Sequence, residues 1–69
     1  MIELKANRKY EIEIDNARKI TVRSKDNSVM NVESNLFNAY NVVETIYETR
    51  LVKAKLVIVC DKDAILKIE

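Results

Sequence analysis

Apolar side chains recur at every second position through the first half of the chain: Ile2, Leu4 and Ala6, then Tyr10, Ile12 and Ile14, then Ile20 and Val22, then Met30 and Val32. The positions between them are mostly polar, among them Glu3, Lys5, Lys9, Glu11, Glu13, Lys19, Thr21 and Arg23. A half-buried β-strand has this period, because successive side chains leave the pleat on opposite faces; a helix of about 3.6 residues per turn cannot produce it. The alternation therefore sets the fold class before any other feature is weighed.

Four breaks interrupt the pattern, at Asn7-Arg8-Lys9, Asp15-Asn16-Ala17, Lys25-Asp26-Asn27 and Asp61-Lys62-Asp63. Read as three-residue hairpin loops, they keep inward residues opposite inward residues. Leu4 then faces Ile12, Ile12 faces Ile20, Val22 faces Met30 and Ile58 faces Leu66, while Glu13 opposes Lys19 on the wet face. The expected fold is all-β and a single domain over residues 1 to 69. It comprises a four-stranded antiparallel meander over residues 2 to 33 and a C-terminal hairpin of 51 to 60 with 64 to 68, closing as a small sandwich or barrel. Such loops need a residue at positive φ, normally Gly. This chain has no Gly and no Pro, so Asn16 and Asn27, or their Asp neighbours, are expected to adopt that conformation.

Residues 34 to 50 admit two readings. Leu36, Tyr40, Val43 and Tyr47 lie at helical spacing behind a capping Ser34 or Asn35, which would give an α+β alternative: a six-stranded antiparallel sheet covered by one helix at about 36 to 48. The run from Val42 to Thr49 is dense in β-branched and aromatic residues, which favours a strand. The strand is the preferred reading.

The composition excludes several chemistries. Without Gly there is no loop whose backbone can approach a phosphate closely, and without His there is no imidazole base or metal ligand. No catalytic group, cofactor or metal is expected. The carboxylate row Glu11, Glu13 and Asp15 reads as a solvated face answered by Lys19 and Arg23, and Asp61-Lys62-Asp63 reads as a plain turn. Cys60, the single cysteine, closes an apolar run and reads as a small buried hydrophobe. Net charge is only +1. Lys19, Arg23, Lys25, Arg18, Lys53 and Lys55 would attract phosphates if they shared one side, but the few aromatics give no stacking platform, so nucleic acid is not an expected partner. No stretch reaches the roughly 18 apolar residues of a membrane span, and the first residues do not read as a signal peptide. A cytoplasmic location is expected, or a virion for a viral chain.

From Leu51 to Cys60 the alternation fails, because Leu51, Val57 and Val59 are apolar along with the inward set. A strand apolar on both faces wants cover on both. The sequence therefore points to a homo-oligomer with Leu51, Val57 and Val59 in the interface, a usual remedy for so small a core. Asn35, Phe37, Asn38, Tyr40 and Asn41 combine amides with aromatic rings, the composition of a contact surface for another protein of an assembly. The expected function is structural and non-enzymatic, of the viral or phage accessory kind, such as a capsid decoration, head-fibre or tail component. The alternative is a small inhibitor or regulator that binds a host protein or nucleic acid.

Overall fold

The computed structural model describes residues 1–69, apart from the side chain of Leu51. Among the described residues the chain forms β1 (Ile2–Leu4), β2 (Lys9–Ser24), β3 (Met30–Ser34), β4 (Asn38–Val42), β5 (Glu44–Cys60) and β6 (Ala64–Ile68). All join one antiparallel sheet in the order β1-β6-β2-β5-β3-β4. The segment from residue 34 to 50 holds the turn after β3, all of β4 and the start of β5, as its β-branched and aromatic run suggested; the helical spacing within it is not used.

The all-β class is as the alternation requires, but the strands do not pair in sequence order. Only β3 and β4 form a hairpin of neighbours. Leu4 lies opposite Ala64, Ile12 opposite Leu56, Ile20 opposite Tyr47 and Val22 opposite Thr45. The meander over residues 2 to 33 is thus replaced by β1 on β6 and β2 on β5, and the expected C-terminal hairpin is absent because β6 lies between β1 and β2. Asp15-Asn16-Ala17 does not reverse the chain; it lies inside β2. An alternating strand states which residues face inward, and any partner with the same alternation satisfies it.

The inward set itself stands. Leu4, Ile14, Ile20, Val22, Met30, Val32, Leu56, Ile58, Cys60 and Leu66 are all buried, together with Ala17 and Ala64. A flat sheet has no second layer to bury them, so the sheet must curl over its own inner face. Its dimensions require the same: β2 would run roughly 50 Å if straight, yet the longest axis of the molecule is 31 Å. The bend falls where the β2–β5 register slips between Ala17 and Lys19, with Thr49 and Arg50 on β5 set against the single Arg18 on β2. Asn16, at φ 55°, kinks β2 beside this bulge. A single left-handed residue within a strand re-aims it rather than ending it. The turn Asp61-Lys62-Asp63 then links the two halves of the bent ribbon, since Cys60 meets β3 and Ala64 meets the end of β2.

Asn residues occupy every position at positive φ: Asn7 (60°), Asn16 (55°), Asn27 (61°) and Asn41 (57°). Asn7 is the third residue of a turn closed by the Arg8 amide on the Lys5 carbonyl, and Asn27 follows Asp26 in the turn after β2. Asn41 sits at a second bulge, where the β3–β4 register slips. Asn tolerates this conformation because its short amide can bond locally, and with no Gly in the chain it takes over the role.

Candidate interaction surfaces

The segment from Met30 to Asn41, expected as a partner surface, spends most of its polar groups on the fold. Asn35 works as an extra residue of β3: its backbone N–H donates to the Val57 carbonyl, its Nδ2 to the Lys55 carbonyl, and its Oδ1 accepts from the Val57 N–H. Asn38 accepts from the Ser34 amide. Asn41 donates its backbone N–H to Asn31 Oδ1, at 3.0 Å, across the bulge. Phe37 is half-buried, stacked on Tyr47 with centroids 5.2 Å apart, and packs against the core. Tyr40, on β4, is 54% exposed and is the large hydrophobic member of the five that stands open to a partner.

Asn31, which the sequence groups with the other amides of this contact surface, instead pins this end of the molecule together. Its backbone N–H donates to Asp61 Oδ1 at 2.6 Å and its Nδ2 to Asp61 Oδ2 at 3.1 Å, while its carbonyl accepts from the Asp61 N–H. Asp63 Oδ1 accepts from the Ala6 N–H, and the Asp63 carbonyl from the Lys25 N–H. The two carboxylates of the turn thus hold β3 and Ala6, just past β1, while the Asp63 carbonyl holds the end of β2. Among the described residues no three acidic or cysteine side chains gather to hold a metal ion. Asp26 is held below the usual carboxylate range by the hydroxyl and amide of Ser28. Cys60 is buried, and burial, with Asp61 beside it, pushes its thiol up to about 11, so it stays protonated at neutral pH.

Charge on the outer face is laid out as cross-strand complements. Glu13 lies opposite Lys55, Asp15 opposite Lys53, Lys19 opposite Glu48 and Arg23 opposite Glu44. Lys55 reaches diagonally to Glu11 at 3.3 Å, Arg23 meets Glu44 at 3.8 Å and Lys25 meets Glu3 at 3.5 Å. The carboxylate row is thus answered from β5, by Lys53 and Lys55, instead of by Lys19 and Arg23. The basic residues do not merge into one patch, because most face an acid.

On β5, Val57 and Val59 are half-buried on the outer face, opposite Glu11 and Lys9, with Glu33 on the far side of Val59. The third residue expected in an oligomer interface, Leu51, has its side chain outside the described residues. Further along the same strand Ile46 is 48% and Val52 73% exposed. At the bend an open cleft of about 1030 Å³ is lined by Asn16, Ala17, Arg18, Glu48, Thr49, Arg50 and Val52. No helix among the described residues is long and apolar enough to cross a membrane. These features define a one-sheet, antiparallel β domain. No family model matches the chain, and no curated protein or solved structure matches it either.

Proposed function

We propose that this chain is a non-enzymatic component of a larger assembly and works there as a homo-oligomer. The observation that carries the reading is the second edge of β5. From Glu44 to Ala54 it has no strand neighbour among the described residues, and Ile46 and Val52 stand exposed along it. An open edge offers unpaired backbone groups to another chain, and this sequence has no Pro to blunt it. Val57 and Val59 continue an apolar surface on the same strand. The dozen buried apolar residues among those described also make a small core for a free-standing domain, and association is a common remedy. The size and Asn-, Ile- and Lys-rich composition fit a viral or phage accessory protein, such as a capsid decoration, head-fibre or tail component. Tyr40 and the loop before it would meet another protein of that assembly.

Native mass spectrometry and light scattering test the reading. The expected result is a defined oligomer at micromolar concentration that Val57→Lys or Val52→Lys reduces to a folded monomer. A strict monomer for the unaltered chain, or an oligomer indifferent to both substitutions, would overturn it.

A further inference from the structure

The cross-strand charges of the β2–β5 ribbon are opposite in sign at every described register position where both residues are charged. The bend departs from this rule. Between the positions Ala17 with Leu51 and Lys19 with Glu48, Arg18 stands against the bulge residues Thr49 and Arg50. Both arginines are exposed, and among the described residues neither guanidinium has a carboxylate within 4.0 Å. Both line the cleft at the bend, along with the polar side chains of Asn16 and Thr49; Glu48, the one acid there, lies opposite Lys19. Like charges facing each other across two strands weaken a sheet. Here they do so within a ribbon that otherwise pairs its charges, at a point where the Arg18 and Lys19 backbone N–H groups donate to Glu69, just past the end of β6.

We propose that the cleft binds a terminal phosphate, with Arg18 and Arg50 as its two ligating groups. A guanidinium is a planar fork that engages two oxygens at once, and it stays charged at any physiological pH. Two forks on one anion need more than two oxygens. A terminal phosphate offers three and up to two negative charges, whereas a carboxylate offers two oxygens and one charge. Asn16 and Thr49 add neutral donors on the same wall. The four acids that already hold a cation within the chain, Glu3, Glu11, Glu44 and Glu69, are not available to fill the role.

Pyrophosphate is the probe, added to the isotope-labelled chain at low ionic strength while amide and guanidinium resonances are followed by NMR. Saturable shifts confined to residues 16–18 and 48–50 are expected. Arg18→Gln and Arg50→Gln should each weaken binding at least about tenfold, the usual effect of losing a charge-assisted contact, while Arg8→Gln leaves it unchanged. A second readout needs no variant: pyrophosphate should raise the melting temperature beyond what sodium chloride does at equal ionic strength. Two comparisons address the source of the phosphate. Succinate binding as tightly as pyrophosphate, or an oligonucleotide binding equally with and without its 5′-terminal phosphate, would overturn the assignment. Shifts that never saturate, that survive both Gln substitutions, or that are lost equally with Arg8→Gln would overturn it too.

Discussion

At the scale of single residues, the chain replaces glycine with asparagine, and the replacement is not conformationally free. A non-glycine residue in the left-handed region costs about 1–2 kcal/mol, less for Asn, whose amide bonds to nearby backbone. At Asn16 the side chain makes no hydrogen bond within the described structure, so only the backbone conformation is at stake. Gly there would relieve the steric cost but add unfolded-chain entropy of similar size. Asn16→Gly should therefore leave stability within about 0.5 kcal/mol of the parent, whereas Asn16→Ala, a residue type that enters the left-handed region far less readily than Asn, should cost about 1 kcal/mol. Urea midpoints of the two variants, compared at a constant slope, check the pair; an Ala variant as stable as the Gly variant would mean that residue 16 does not hold positive φ in solution. The buried hydroxyl of Ser24, which has no partner in the described structure, is the opposite kind of residue, a polar group whose removal would relieve a desolvation cost.

Elements are held to one another at this end of the molecule by side chains as much as by ladders, and Asp61 ties the last turn to β3. It carries two hydrogen bonds from Asn31, and Asn31 in turn fills the gap opposite the β4 bulge. Asp61→Ala should cost about 2 kcal/mol, within the range for hydrogen bonds to a charged acceptor, and should expose the Asn31 amide to hydrogen exchange ahead of the Val32 amide. Asp61→Asn keeps an acceptor for that amide and should recover about half of the loss. Unaltered protection at Asn31 in the Ala variant would show that β3 docks without this tie. None of this was legible in the sequence, where Asp61-Lys62-Asp63 reads only as a turn. Burial was legible, because alternation reports the face of a strand: Leu4, Ile14, Ile20, Val22, Met30, Val32, Leu56, Ile58 and Leu66 were all assignable inward before any partner was known. Pairing was not, since Ile12 meets Leu56 as comfortably as it would have met Ile20. Asn16 shows the same limit at a finer grain. Its left-handed conformation could be read from the residue type, but whether one such residue reverses a chain or kinks it depends on the strands alongside. The Arg18 and Arg50 pair was invisible for that reason too: the two come together only through a register slip in a pairing that local patterning does not specify.

For the molecule as a whole, the strand order dictates how the chain must fold. β1 waits for β6, β2 for both β5 and β6, and β3 for β5, so nearly every pairing closes a long loop before it is rewarded. Only the β3–β4 hairpin, a small fraction of the sheet, is local. Closing long loops costs entropy that short hairpins avoid, and all-β chains dominated by such contacts fold in milliseconds to seconds where helical ones need microseconds. The absence of Pro removes the other usual source of slowness, isomerisation of X–Pro bonds over tens of seconds. Refolding should therefore appear as one phase in the range of about 1–100 per second, with no later phase. The chain has no Trp, so stopped-flow fluorescence of its three tyrosines, Tyr10, Tyr40 and Tyr47, is the natural signal. Tyr10 and Tyr47 lie on the two halves of the bent ribbon, opposite Ile58 and Ile20, and so report its closure. Val32→Ala, on β3, should mainly speed unfolding, because β3 can dock only after β2 and β5 have met; Leu56→Ala, buried within the β2–β5 pairing opposite Ile12, should slow refolding. Refolding in microseconds, or a Leu56→Ala variant that changes only the unfolding rate, would mean that the long ribbon is not what forms first. An additional slow phase that grows with protein concentration would instead measure association, separating the folding of the chain from the assembly proposed for it.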